Sequence, residues 1–419
     1  MVPVDKIFFV FLIVSASCGE VTAQVATGEF IRSAFQDHEV RTFDDQLLFL
    51  SQRSYRMPAI REVQLRTQNR EFLRTQQEYE LRVSPANPWE IKANNEYYKN
   101  FAGSLSVQRE IALRDALLER YWTVIEIVYF QEMKETSAQG MLTLKQQLAI
   151  LENQVGSSYF DPDEFAELKV DELDYGLELE EYDHELSNQI YRVERMYPEA
   201  HQKSVTWTAK EIIPVNRIKE VADSLSDASV RSSLIAYQQQ QVLLAQSHYT
   251  LEKRNFNLGF VQGSYDRRRV NQERTPYNIS AGVTIPIFNP NKGDMARRKL
   301  QVIEAEYDLK EAQDESRIDK QILEKRLGSL VSRYASLKSR AEDLRNSNFA
   351  QTLSEIKGGD PLMYVQFNER LRRLEMLLIK VHRDILLTYV EYLSYIDHLQ
   401  QMPLINFLDP QLRQIPVSR

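Results

Sequence analysis

The chain has 419 residues with 60 acidic against 52 basic side chains and a formal net charge of -8, so no nucleic-acid partner, which calls for a basic surface, is implied. Only 13 glycines occur, well under the usual ~7%, and none forms a phosphate-binding loop of either common spacing, which argues against nucleotide binding. Past the first residues no apolar run approaches the roughly 18 residues of a spanning helix, so any insertion in a membrane has to use β-strands.

Lys6 followed by the apolar run Ile7 to Val14 and then small residues describes a secretory signal peptide over 1–23. Val21-Thr22-Ala23 supplies the small residues a signal peptidase requires, which puts cleavage near Ala23 and the mature start at Gln24. Cys18, the only cysteine, offers a second route, acylation as a lipoprotein, although Ser15 stands three positions before it where leucine is usual. Cleavage at Ala23 leaves a chain without cysteine, suited to an oxidising exported compartment.

Two repeats follow, 24–201 and 202–419. Asn87-Pro88 recurs as Asn289-Pro290, and Asp161-Pro162 as Asp360-Pro361, both about 200 residues on. Each Asn-Pro closes a strand-like segment and opens a helix, where proline fits the first turn. In the first repeat a hairpin is expected over about 61–86: Val63, Leu65 and Thr67, then Tyr79, Leu81 and Val83, alternate with polar residues. Arg66, Arg70, Arg74, Glu78, Glu80 and Arg82 interrupt its apolar character, and they fit a spanning hairpin if they point into a water-filled lumen. A proline-free helix over about 89–155 would run on the order of 100 Å at 1.5 Å per residue. Its end carries the seam Met141, Leu144, Leu148, Leu151 and Val155. The stretch Asp161 to Glu185 is rich in acids and reads as a solvated helix face or as a cation-favouring mouth.

The second repeat predicts a hairpin over about 254–288. Phe256, Leu258 and Phe260 alternate with polar residues or glycine; a polar loop runs from Asp266 to Arg274; Tyr277, Ile279, Ala281, Val283, Ile285 and Ile287 alternate again. The lipid-facing candidates are Phe256, Leu258, Phe260, Ile279, Val283 and Ile285. In the loop, Arg267, Arg268, Arg269 and Arg274 would meet anionic headgroups or form a solvated turn. A long helix over about 291–356 carries the seam Leu323, Leu327, Leu330, Tyr334, Leu337, Ala341 and Leu344. After Gly358-Gly359-Asp360 a last helix repeats the spacing from Leu371 to Leu399.

Four strands do not close a barrel, since the smallest membrane barrels have about eight. An open sheet edge is forbidden in lipid, so hairpins that insert require an oligomer, and long heptad seams require partner helices. His184, near Glu180 and Glu181, is an ion-pair candidate rather than a metal ligand. Templates for nucleophilic or zinc-dependent hydrolysis lack their first residue, so no enzyme, metal or cofactor is expected.

The order of short helices, hairpin, very long helix and returning helix, given twice, resembles the TolC family of outer-membrane efflux proteins over essentially the whole mature chain. The junction Ile285-Pro286-Ile287-Phe288-Asn289 and the run Lys357-Gly358-Gly359-Asp360-Pro361 carry the resemblance most directly. The fold it implies is mainly α, with long antiparallel coiled-coil helices forming an α-barrel and two β-hairpins contributing to a trimeric β-barrel. It also implies a homotrimeric conduit for efflux or type I-like secretion. Such a conduit would sit in outer-membrane lipid, extend into the periplasm, and dock on a periplasmic adaptor and an inner-membrane pump. Asp161, Asp360, Gly358 and Gly359 are then the candidates for the periplasmic tip. The alternative is a non-conducting periplasmic or membrane-associated scaffold built on the same fold.

Overall fold

The computed structural model describes residues 24–52, 56–69, 72, 77–156, 160–226, 232–270, 275–284, 292–346 and 361–416. In chain order these form α1 (Thr27–Arg32), α2 (His38–Gln52), β1 (Ile60–Asn69), β2 (Gln77–Pro85), α3 (Pro88–Gln154), α4 (Pro162–Met196), α5 (Val215–Ser226), α6 (Ser233–Arg254), β3 (Gly259–Asp266), α7 (Arg267–Val270), β4 (Tyr277–Val283), α8 (Lys292–Asn346) and α9 (Pro361–Tyr395).

The helix starts are written in the sequence. Asn87 accepts from the Trp89 N–H at 3.0 Å with Pro88 in the first turn. Asp161 accepts from Asp163 and Glu164 N–H at 2.9 and 3.3 Å, with Pro162 in the first turn. Each cap satisfies donors that a helix start leaves without partners. With no proline inside it, α3 continues for 67 residues, about 100 Å at 1.5 Å per residue.

The helices make an open layer. α2 and α4 pack on α3, α3 on α6 and α9, and α6 and α9 on α8. Polar rungs fix the heights: Gln246 donates to Glu306 at 3.4 Å and Tyr392 to Glu324 at 3.2 Å, while Arg109 pairs with Asp44 and Lys134 with Asp183. The sheet repeats the plan, its four antiparallel strands lying in the order β1-β2-β3-β4. Across this layer α8 is an edge: over 55 residues it buries only Val302, Ala312, Leu323, Leu327 and Ala341. Of its seam, Leu330, Tyr334 and Leu337 pack half-buried against the core.

The largest core forms where the terminal segments cross the middle of the layer. Phe30, Leu117, Tyr121, Trp207, Tyr389 and Leu408 meet there. The Tyr121 hydroxyl donates to the Ile405 carbonyl at 2.9 Å and accepts from the Phe407 N–H at 3.1 Å. Trp207 Nε1 donates to the Val25 carbonyl at 2.8 Å. Arg120, 1% exposed, donates to Ser33 Oγ at 2.9 Å, the Ala116 carbonyl at 2.8 Å and Asp37 at 3.2 Å, which keeps a buried cation partnered. A second cluster of Leu144, Leu148, Leu151, Leu168 and Tyr175 closes the far end of α3 and α4. Val155, the last position of that seam, falls beyond the helix and is exposed.

Candidate functional site

Cross-strand register sorts the sheet into two faces, because side chains alternate with period two and opposed residues share a face. One face carries the rows Val63, Val83, Val261, Ala281; then Leu65, Leu81, Gly263, Ile279; then Thr67, Tyr79, Tyr265, Tyr277. The other carries Gln64, Arg82, Gln262, Ser280; then Arg66, Glu80, Ser264, Asn278; then Gln68, Glu78, Asp266. The apolar face is bare in the single chain: Leu65 is 77% exposed, Ile279 81% and Val283 81%. A contiguous apolar surface at this scale marks contact with lipid or protein.

Aromatic rings stand near both ends of the sheet. Tyr79, Tyr265 and Tyr277 form one row near the turns, the last two 5.3 Å apart. Where the strands meet the helices, Trp89 stacks on Phe256 at 6.5 Å. Membrane barrels place such girdles at the two water interfaces.

The structure corrects one of the lipid-facing candidates and relocates two. Phe260 pairs with Gly282 in the register next to Val261 and Ala281, so it lies on the charged face, opposite to Ile279 and Val283. There its ring lies against Gly282, where a Cβ would come within 2.6 Å of it, and the Arg82 guanidinium covers it at 3.7 Å from the ring centroid. Phe256 and Leu258 precede β3 and are half-buried. The alternation 256, 258, 260 does not carry into the ladder because Gly259 intervenes at φ +126°, a backbone that L side chains rarely adopt. A Cβ there would run into the Gly282 carbonyl oxygen. Val261 and Tyr265 take the positions expected for Phe260; the alternation Val261, Gly263, Tyr265 was their signal in the sequence. Ile285 lies outside the described residues.

At the opposite end of the molecule, Asp161 caps α4 where the chain returns from α3. Phe160 and Phe165 contact beside it at 5.9 Å. Near this end α9 reaches α4: Gln366 donates to Glu164 at 2.7 Å, and Arg373 lies 3.9 Å from Asp171. Burial, with the nearby Glu369, raises the Asp171 carboxyl above its ordinary value, against the pull of Arg373. Gly358, Gly359 and Asp360 lie outside the described residues, as does Arg274.

Arg267 and Arg269 are exposed on α7, Arg269 lying 4.0 Å from Asp266. His184 is exposed on α4. No grouping of three or more His, Cys, Asp or Glu side chains suited to a metal occurs among the described residues. No described helix is long and apolar enough to cross a membrane.

No protein-family model matches the sequence, and no curated protein matches it. Solved structures do. A membrane protein from Pseudomonas aeruginosa superposes with a TM-score of 0.67 at 11% identity, covering 90% of this chain and 92% of that one. The CmeC outer membrane channel of Campylobacter jejuni gives 0.65 at 11% identity over 92% of this chain and 86% of its own. The MtrE outer membrane channel of Neisseria gonorrhoeae in its open state gives 0.65 at 11% over 89% and 88%. At such identities the agreement is one of architecture: the chain has the mainly helical fold, with a small antiparallel sheet, of the TolC-like outer-membrane channels.

Proposed function

We propose that this chain is one protomer of a homotrimeric outer-membrane channel for efflux or type I-like secretion. The observation that carries this reading is that sheet and helical layer are open in the same order, so that copies of the chain joined edge to edge close both at once. Three copies supply twelve strands, above the minimum of about eight. Joining β4 to the next copy's β1 removes the open edges that lipid forbids. The same step sets α8 beside the next copy's α2 and α4. Those flanks carry exposed apolar side chains: Leu300, Ile303 and Tyr307 on α8, Leu48 on α2, and Val170, Leu173 and Leu177 on α4. With Gln241 of α6 donating to Ser104 of α3 at 3.1 Å to join the rungs described above, Tyr307 and Leu48 stand within about two helical turns of the same height.

With the apolar face outward in lipid and the charged face lining water, solutes would pass without any bond being made or broken. The end bearing Asp161, with Asp360, Gly358 and Gly359 across the second repeat, would meet a periplasmic adaptor that links the channel to an inner-membrane pump. The N-terminal segment favours cleavage at Ala23 over anchoring through Cys18. Arg120, whose side chain holds Ser33, sits roughly 45–50 Å along α3 from the sheet at 1.5 Å per residue. Six residues from Cys18 to Gln24 reach only about 20 Å, too short for an acyl chain to enter the membrane at the height of the sheet.

A non-conducting scaffold is the second reading, and the observation in its favour is the length of β4, seven residues. Those span about 20 Å at 3.4 Å per residue even before tilt, against an apolar band of about 25 Å in membrane barrels. Planar-bilayer conductance on protein whose oligomeric mass is measured in the same detergent decides between the two. Discrete openings from a trimer support the channel; a folded trimer or monomer that never conducts leaves the scaffold.

A further inference from the structure

We propose that the bare face of the helical layer, opposite the core that the terminal segments cover, holds a binding site for organic ammonium ions with an aromatic body, the solute class this deepens the channel reading to include. Tyr121 and Val124 of α3 point into that core, so Trp122, Glu126 and Phe130, turned away from them by the 100° per residue of a helix, point the other way. There α3, α4, α8 and α9 line an open hollow of about 470 Å³, within the size range of small-molecule sites.

Three features give the hollow its chemistry. Trp122 is 41% exposed and, with Phe130, supplies an aromatic wall; an indole face attracts cations. Gln189 of α4 is only 7% exposed, and its buried Oε1 accepts no hydrogen bond from any group among the described residues. An acceptor withdrawn from water and left open is costly to the folded chain, and a ligand N–H would satisfy it. Arg383, one of the three lining arginines, is already committed: its Nε donates to both oxygens of Glu126 at 3.0 and 2.9 Å, and its guanidinium lies 4.7 Å from the Tyr129 centroid. With that pair removed, Glu119, Glu185 and Glu391 face Arg192 and Arg326 around the lining, which leaves it one net negative charge. An unused acceptor, an exposed indole and a net negative lining together select a cation with a flat apolar portion over its neutral or anionic counterpart.

The site rests on the channel reading only for its role, since a solute travelling the duct would pass along this face; the binding itself is measured separately. Isothermal titration of the full-length protein in detergent with 2-naphthylmethylammonium, 2-naphthylmethanol and 2-naphthoate tests it. Saturable binding of one ammonium per chain, at least tenfold tighter than the alcohol and with no measurable heat from the carboxylate, is expected. Gln189→Leu, matched in size, abolishes the preference for ammonium over alcohol, and Trp122→Ala weakens both. Equal affinities for the three probes, absence of saturable heat, or a preference untouched by Gln189→Leu overturns the site. Bilayer conductance of the same preparation separates the two proposals. A conducting trimer that does not bind the ammonium overturns the site and keeps the channel; binding without conductance supports the site and overturns the channel.

Discussion

Single residues decide how closely the helices approach. Gly140 of α3 faces Tyr175 of α4, and a Cβ added there would come within 2.8 Å of the ring. Because Tyr175 is held in the second core cluster, the ring has little room to withdraw. Gly140→Ala should therefore destabilise the α3–α4 hairpin by about 1–3 kcal/mol, the usual range for overpacking, despite the better helix propensity of alanine. Chemical unfolding followed by circular dichroism measures it, and an unchanged midpoint would contradict the packing described. His382 of α9 makes a different prediction. Burial lowers its pKa to about 4, against about 6.5 when unfolded. The folded state keeps the imidazole neutral, so its stability is complete above about pH 6.5 and is lost as pH falls toward 4, where the unfolded chain takes up the proton first. The stability lost between pH 7 and pH 5 should be smaller in His382→Gln than in the unaltered chain.

Among the elements, β4 offers the sharpest test because neighbouring residues in it face opposite ways. Ile279 lies in the apolar row with Leu65 and Leu81, and Ser280 in the polar row with Arg82. Arginine at a lipid-facing midplane position costs about 2–4 kcal/mol, while lumen positions tolerate charge. Ile279→Arg should lower the stability of the membrane-inserted protein by that order, and Ser280→Arg should leave it near the unaltered value. Equal effects would mean that the sheet does not separate lipid from water. Much of this face was legible in advance: Val63, Leu65, Tyr79, Leu81, Val83, Ile279 and Val283 alternate in the sequence as they alternate in space. Phe260 falls out of phase because period-two alternation holds only while the backbone stays extended. The left-handed Gly259 ends that condition one residue earlier.

For the whole molecule the prediction concerns the edge of α8. Ile303 and Tyr307 are 52% and 67% exposed and lie four residues apart on one helix face. Ile303→Asp combined with Tyr307→Asp should abolish the proposed trimer in detergent, seen as a fall to monomer mass. The helical content should remain, because neither side chain belongs to the core. A trimer that survives the double change would place the interface elsewhere.

Read alone, the sequence already specifies the long helices, the caps at Asn87 and Asp161 and the two hairpins. These follow from local rules: proline positions, capping side chains, and apolar periods of two and of three to four. What only the tertiary structure decided depends on register and on contacts between distant segments. It set Phe260 with Arg82 on the charged face, folded the terminal segments over Tyr121 and Arg120, and left the Gln189 oxygen without a donor among the described residues, near Trp122. No local pattern records those relations, because each arises from where separate elements come to rest against one another.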